Sequence, residues 1–175
     1  MSEQKINVSG IVGESITDGP GFRFTLFVQG CPHHCEGCHN PHTWPFEEKK
    51  LMTPDEIFKK ISENPLLSGV TFSGGEPFSQ ASALLPLAEK IKAAGLELAA
   101  YSGYTFEELT TKNDEDINKL LALLDVLVDG RFVLKQRNLD LKFKGSENQR
   151  IINVPKSLSE GKAVLETGPR WNKEE

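Results

Sequence analysis

Short apolar runs alternate with helical stripes along this chain, and that alternation constrains its fold more than any other feature. Ile6 to Val12 and Arg23 to Val28 read as strands. In the second, Phe24, Leu26 and Val28 share one face and Arg23, Thr25 and Phe27 the other. Gly69 to Ser73, Leu96 to Tyr101, Asp125 to Val128 and Arg150 to Val154 read as further strands. Thr53-Pro54-Asp55-Glu56 opens a helix: Thr53 caps it, Pro54 suits the first helical position and Glu56 completes a capping box. Ser79 is a candidate cap for a helix whose Leu84, Leu87, Ala88 and Ile91 share one face. Pro86 inside it predicts a kink or a later start, and Gly95 ends it. Ile117, Leu120, Leu121 and Leu124 form another stripe. Strands that are mostly apolar belong in parallel sheets covered by helices. With 175 residues the chain falls short of the roughly 250 typical of a closed eight-fold barrel. The expected fold is therefore α/β: an incomplete, TIM-like barrel, or an open sheet, of mostly parallel strands with outer helices. No repeat, low-complexity tract or linker divides it, so residues 1–175 are expected to form a single domain with a short charged C-terminal end.

A formal net charge of −5 argues against a nucleic-acid binder that works through a broad basic face. No apolar run reaches the roughly 18 residues of a membrane-spanning helix. Met1-Ser2-Glu3-Gln4-Lys5 lacks the apolar stretch of a signal peptide, so a cytoplasmic protein with reduced thiols is expected.

The three cysteines of the chain, Cys31, Cys35 and Cys38, lie within eight residues of one another. An odd number cannot pair off within one chain, and in a reducing compartment a tight cluster suits metal binding better than a disulfide. One reading is structural zinc, its fourth ligand drawn from His33, His34, His39 or His42. The other is a [4Fe–4S] cluster, in which three cysteines leave one iron with open coordination sites. Ligand sites of parallel α/β folds lie at the carboxyl ends of the strands. Three unusual stretches are expected at that edge: the cysteine loop after Val28, Gly74-Gly75-Glu76 after Phe72, and Asp129-Gly130-Arg131 after Val128.

Cys-x-x-x-Cys-x-x-Cys resembles the signature of radical S-adenosylmethionine enzymes. Asp18-Gly19-Pro20-Gly21-Phe22-Arg23, Gln29-Gly30-Cys31, Cys38-His39-Asn40-Pro41 with Thr43-Trp44, and Ser73-Gly74-Gly75-Glu76-Pro77 narrow the resemblance to the glycyl-radical-enzyme activases. Asp129-Gly130-Arg131-Phe132 and Gly145-Ser146-x-Asn148-Gln149-Arg150 resemble the branch that serves anaerobic ribonucleoside-triphosphate reductase. The resemblance runs from about Ser9 to Val154.

What the resemblance implies can be stated residue by residue. Cys31, Cys35 and Cys38 would ligate three irons of a [4Fe–4S] cluster, the fourth chelating S-adenosyl-L-methionine. The Ser73-Gly74-Gly75-Glu76 segment would hold the methionine amino group, with Glu76 placing charge beside it or supporting the loop. Asp129 would meet the ribose and Arg131 the methionine carboxylate, with Gly130 between them; a plain Asp-Gly turn is the other reading. Gly37 stands where the wider superfamily often has an aromatic residue, so adenine would rest on backbone there or on His39. Asp18 and Arg23 would help receive a partner's glycyl loop, and Trp44 and Phe46 would shield the cluster, dock the partner or simply pack. The implied partner is an anaerobic ribonucleoside-triphosphate reductase, with flavodoxin or ferredoxin as electron donor. The alternatives are another target such as pyruvate formate-lyase, or a small-molecule radical enzyme related to 7-carboxy-7-deazaguanine synthase. A zinc-binding adaptor without catalysis is the reading outside enzymes. The tail from Trp171 carries no evident chemistry.

Overall fold

The computed structural model describes residues 4–172; the charged end Lys173–Glu175 lies outside them. The strands are β1 (Ile6–Ser15), β2 (Arg23–Val28), β3 (Lys50–Met52), β4 (Gly69–Gly74), β5 (Glu97–Ser102), β6 (Val126–Asp129) and β7 (Arg150–Asn153). They make one open sheet in the order β3-β1-β2-β4-β5-β6-β7. The four central strands β2, β4, β5 and β6 are parallel to one another. The edges are not: β1 is antiparallel to both β2 and β3, and β7 to β6. The reason at one edge is connection length. Residues 16–22 make a tight link between β1 and β2, too short for the crossover that a parallel pair requires.

The register sorts the side chains. Leu26, Phe72, Ala100 and Leu127 run across one face, and Thr25, Thr71, Ala99 and Val126 across the other. The first face carries the main core. Helices α1 (Pro54–Ser62), α2 (Ala81–Ala93), α3 (Phe106–Thr111), α4 (Glu115–Leu123) and α5 (Val154–Glu160) all contribute buried residues to it, among them Ile57, Leu84, Leu109, Leu120 and Val154. The second face has a smaller core of Ala99, Val126, Val128, Ile151 and Trp171, with Tyr101 and Phe143 against it. Helices on one face only leave the other free to form a site.

The capping box of Thr53 and Glu56 is present, and Thr105 and Glu108 form a second at α3. Ser79 does not cap α2. It lies in a 3-10 turn, Pro77–Gln80, which begins where the Glu76 carboxylate accepts the Phe78 N–H, and α2 starts at Ala81. Pro86 sits inside that helix rather than at its start. The tail residue Trp171 is 2% exposed and packs beside Phe143, ring centroids 5.3 Å apart, and within 5.4 Å of the Arg23 guanidinium. Among the described residues no helix is long and apolar enough to cross a membrane.

Candidate functional site

A cavity of about 330 Å³ opens where β2, β4, β5 and β6 end. Cys31, Cys35, Cys38, His39, Ser73, Gly74, Gly75 and Gly130 all line it, so the three stretches singled out in the sequence do meet at one edge. Gly37, Glu76, Asp129 and Arg131 do not line it.

The cysteine loop is built largely from its own backbone. Gly30 N donates to Thr43 O at 2.6 Å and Cys31 N to Trp44 O at 3.0 Å, which folds the far end of the loop back on its start. The Gln29 side-chain amide donates to His42 O and Pro45 O and fixes the exit. Cys38 N donates to Cys35 O, and Asn40 N reaches the Cys38 sulfur at 3.4 Å. The three thiols are free, Cys31 buried and the others half-buried. Burial pushes the Cys31 and Cys35 thiols up, while backbone N–H groups of His33 and His34 pull Cys31 the other way. A bound metal cation reverses that preference and takes the thiolates.

Among the described residues no group of three His, Cys, Asp or Glu side chains gathers closely enough to hold one metal ion. Three thiols on one loop can each take an iron of a multi-iron cluster and leave a further iron open beside the cavity. Gly37 has φ +77°, and a Cβ there would lie 2.8 Å from Leu134 Cδ1 and 3.2 Å from Phe132 Cε2. The space an aromatic residue would take at this position is thus filled from the segment after β6. His39 meets the same Phe132, ring centroids 5.5 Å apart.

The glycine turn packs against the protein's own backbone. Gly75 N donates to Val28 O at 2.8 Å and Glu76 N to Gly30 O at 2.9 Å. A Cβ on Gly75 would lie 2.4 Å from Gly30 O, and one on Gly74 2.5 Å from Val28 N. Glu76 is fully buried. Its carboxylate accepts from Ser102 Oγ at 2.9 and 3.0 Å, from Gly103 N at 2.8 Å and from Phe78 N at 3.1 Å, and meets His33 Nε2 at 2.7 Å. It therefore supports the loop from below. His33, which the sequence offers only as a possible zinc ligand, and Ser102 and Gly103, which it does not single out, come to Glu76 only through the fold.

At the end of β6 the Asp129 carboxylate is already engaged. It is 1% exposed, accepts the Phe106 N–H at 2.7 Å, and receives Arg150 Nε at 3.0 Å and Nη2 at 2.6 Å. Arg150 also meets Glu107 at 2.6 Å, and these two carboxylates hold its guanidinium well above the usual range. Arg131 turns outward to Glu108, at 3.3 and 3.4 Å. The Gly145–Arg150 motif serves as a clasp: Gln149 Oε1 accepts from Gly145 N and Ser146 N, its Nε2 donates to Gly130 O, and Asn148 Nδ2 donates to Arg131 O. Lys144, from the segment this clasp holds, is the only lysine or arginine among the described cavity-lining residues.

Asp18 lines the cavity and accepts from Ser15 Oγ at 2.6 Å and Thr25 Oγ1 at 3.2 Å. Arg23 does not flank the loop. It stands at the amino end of β2, fully buried, donating to Thr71 Oγ1, Glu97 Oε1 and Val70 O, so no partner reaches it. Trp44 lines the cavity, whereas the ring of Phe46, 66% exposed, lies over Gly30.

A family model described as a 4Fe-4S single cluster domain matches residues 17–152. The chain is 37% identical over 144 residues to an anaerobic ribonucleoside-triphosphate reductase-activating protein of Vibrio cholerae, covering 78% of this chain and 90% of that one. It is 34% identical over 142 residues to the protein of that name from Escherichia coli K12, covering 77% and 90%. With the one from Enterobacteria phage T4 it shares 31% over 154 residues, covering 83% and 93%. Among solved structures, QueE from Escherichia coli superposes with a TM-score of 0.48 at 19% identity, over 73% of this chain and 71% of that one.

Proposed function

The chain belongs to the family of anaerobic ribonucleoside-triphosphate reductase-activating proteins and carries its 4Fe-4S single cluster domain, and from that membership we propose that it is a radical S-adenosylmethionine activase. Its target is the glycyl loop of an anaerobic ribonucleoside-triphosphate reductase. The observation that carries this reading is that Cys31, Cys35 and Cys38 line one cavity together with the Gly74-Gly75 turn. The chemistry supplied by a [4Fe–4S] cluster with S-adenosyl-L-methionine is one-electron cleavage of a C–S bond to a 5′-deoxyadenosyl radical.

The chain's own residues bind and orient. Cys31, Cys35 and Cys38 hold three irons. Backbone at Ser73, Gly74 and Gly75 receives the methionine amino group, while Glu76 fixes that backbone against His33 and Ser102. Lys144, which lines the cavity, faces the carboxylate, whereas Arg131 pairs with Glu108 outside the lining. The ring of His39, which lines the cavity, flanks the adenine, while Gly37 packs behind it against Phe132 and Leu134. Asp129 and Arg150 keep Gly130 in place at the ribose end. We read the open sheet, with helices on one face and the site at its carboxyl edge, as an incomplete TIM-like barrel forming a single cytoplasmic domain that takes its electron from flavodoxin or ferredoxin.

The experiment is a reconstitution with iron and sulfide under anaerobic conditions, followed by reduction and mixing with S-adenosyl-L-methionine and the reductase. An electron paramagnetic resonance doublet is expected, collapsing when the reductase glycine is deuterated at Cα, with 5′-deoxyadenosine as co-product. Cofactor cleavage without a doublet would overturn the reading in favour of a small-molecule enzyme, and a colourless zinc protein would overturn it altogether.

A further inference from the structure

We propose that the indole N–H of Trp44 donates a hydrogen bond to a sulfur of the iron–sulfur cluster held by Cys31, Cys35 and Cys38, and so raises its reduction potential. The inference rests on the proposed cluster site and adds a residue to it. Trp44 lines the same cavity as the three cysteines. Its Nε1 is buried and has no hydrogen-bond partner. Indole nitrogen is a donor only, and a buried donor without an acceptor is rare enough to require an explanation such as a bound group.

The ring is held in place from several directions. It stacks on His34 with centroids 4.7 Å apart and planes 7° from parallel. Trp44 O accepts the Cys31 N–H, and Trp44 N donates to Pro41 O at 3.2 Å. The other buried orphan, Gln29 Oε1, belongs to a residue that does not line the cavity. The second tryptophan described, Trp171, has an acceptor, its Nε1 lying 3.4 Å from Glu97 Oε2. The loop already turns an N–H toward sulfur elsewhere, from Asn40 to Cys38. Thiolate and sulfide sulfurs are the acceptors that a cluster would bring to this wall. A donor aimed at sulfur stabilises the electron added on reduction, and hydrogen bonds to sulfur are among the factors that set the potentials of such clusters.

The test compares the reconstituted wild-type protein with Trp44→Phe, which keeps a ring and removes the donor, and with Trp171→Phe as control. Iron and sulfide content, the midpoint of a redox titration and exchangeable-proton couplings in electron–nuclear double resonance are measured without S-adenosyl-L-methionine. The expected result for Trp44→Phe is an intact cluster, an equilibrium constant for reduction about tenfold lower, or about 59 mV for one electron, and the loss of one exchangeable coupling. Trp171→Phe should match wild type. An unchanged midpoint, or a retained coupling, in Trp44→Phe would overturn the proposal. So would an upward shift, since admitting water raises the potential and would mean that the ring only shields. Should Trp44→Phe fail to hold its cluster, replacing Trp44 by benzothienylalanine keeps the bicyclic shape without the N–H and decides by the same readings. If wild type itself assembles no cluster, the fault lies with the proposed function instead.

Discussion

His33 Nε2 and Glu76 Oε1 stand 2.7 Å apart, and through that contact the cysteine loop is tied to the glycine turn. The same carboxylate reaches Ser102 and Gly103 at the end of β5, so one buried group joins three strand ends. Glu76→Ala should leave the partners of this carboxylate buried and unpaired. Loss of such a hub costs about 3–5 kcal/mol, read as a fall in the urea midpoint of the apoprotein. Glu76→Gln should recover part of it, because an amide oxygen still accepts. An alanine variant within about 1 kcal/mol of wild type would show that the hub carries no stability.

Gly75→Ala puts a Cβ 2.4 Å from Gly30 O, a contact that no side-chain rotation relieves. The turn and the start of the cysteine loop must then separate. Reconstituted Gly75→Ala is expected to retain less than half the iron of wild type, read by metal analysis after gel filtration. Gly95→Ala is the control, with φ +81° but open space around it. It should cost about 1–2 kcal/mol for the left-handed backbone and leave iron content unchanged. Equal iron retention by both variants would contradict the close approach.

The alternation in β2 and the apolar runs of β4, β5 and β6 made the parallel centre of the sheet legible, because burial on both faces writes itself into sequence. Toward the edges β1 and β7 were legible as strands, but β3 and the antiparallel senses were not. β3 is three residues long with two of them exposed, and the antiparallel sense of β7 depends on a segment that holds no α-helix, only the 3-10 turn Leu134–Gln136. At the site, the cysteines and glycines were legible because their residue types have few other uses at such spacing. The pairings of Glu76 and Asp129 were not: His33 stood in the sequence only as a possible zinc ligand, Arg150 only as the end of a motif and Ser102 not at all, because these pairings arise from distances across the fold. Trp171 was missed for the same reason: a lone aromatic near the end of a chain carries no periodicity.

Acid should weaken the protein through Glu97. Burial alone would push its carboxyl up, but Arg23 and Arg170 together hold it below its ordinary value. A carboxyl with a depressed folded-state pKa contributes stability above its unfolded value, about 4.3, and loses that contribution as pH falls through the folded one. Urea midpoints should therefore decline from pH 5 toward pH 3, within the range where the fold stays reversible. Glu97→Gln should be weaker than wild type at pH 7 by about 3 kcal/mol, because Arg23 is left buried without its counter-charge, and its decline below pH 5 should be shallower. A variant with an undiminished acid slope would assign that slope to other carboxylates.

Arg150 and Asp129 offer the sharpest test of the β6 edge. Arg150→Met removes the two charged bonds to Asp129 and leaves a carboxylate that is 1% exposed with the Phe106 N–H as its remaining partner. Breaking a buried pair from one side costs about 3–5 kcal/mol, because the surviving charge has nowhere to go. Removing both charges is far cheaper, so Asp129→Asn with Arg150→Met should be more stable than Arg150→Met alone. That non-additivity separates pairing from the general packing of β7. The same single variant should loosen Gly130, whose neighbour in the chain is Asp129 and which lines the cavity. Its affinity for S-adenosyl-L-methionine, measured by calorimetry on the reconstituted protein, is expected to fall about tenfold, equivalent to about 1.4 kcal/mol. A double variant no more stable than Arg150→Met, with affinity unchanged in both, would mean that the pair holds neither the edge nor the site.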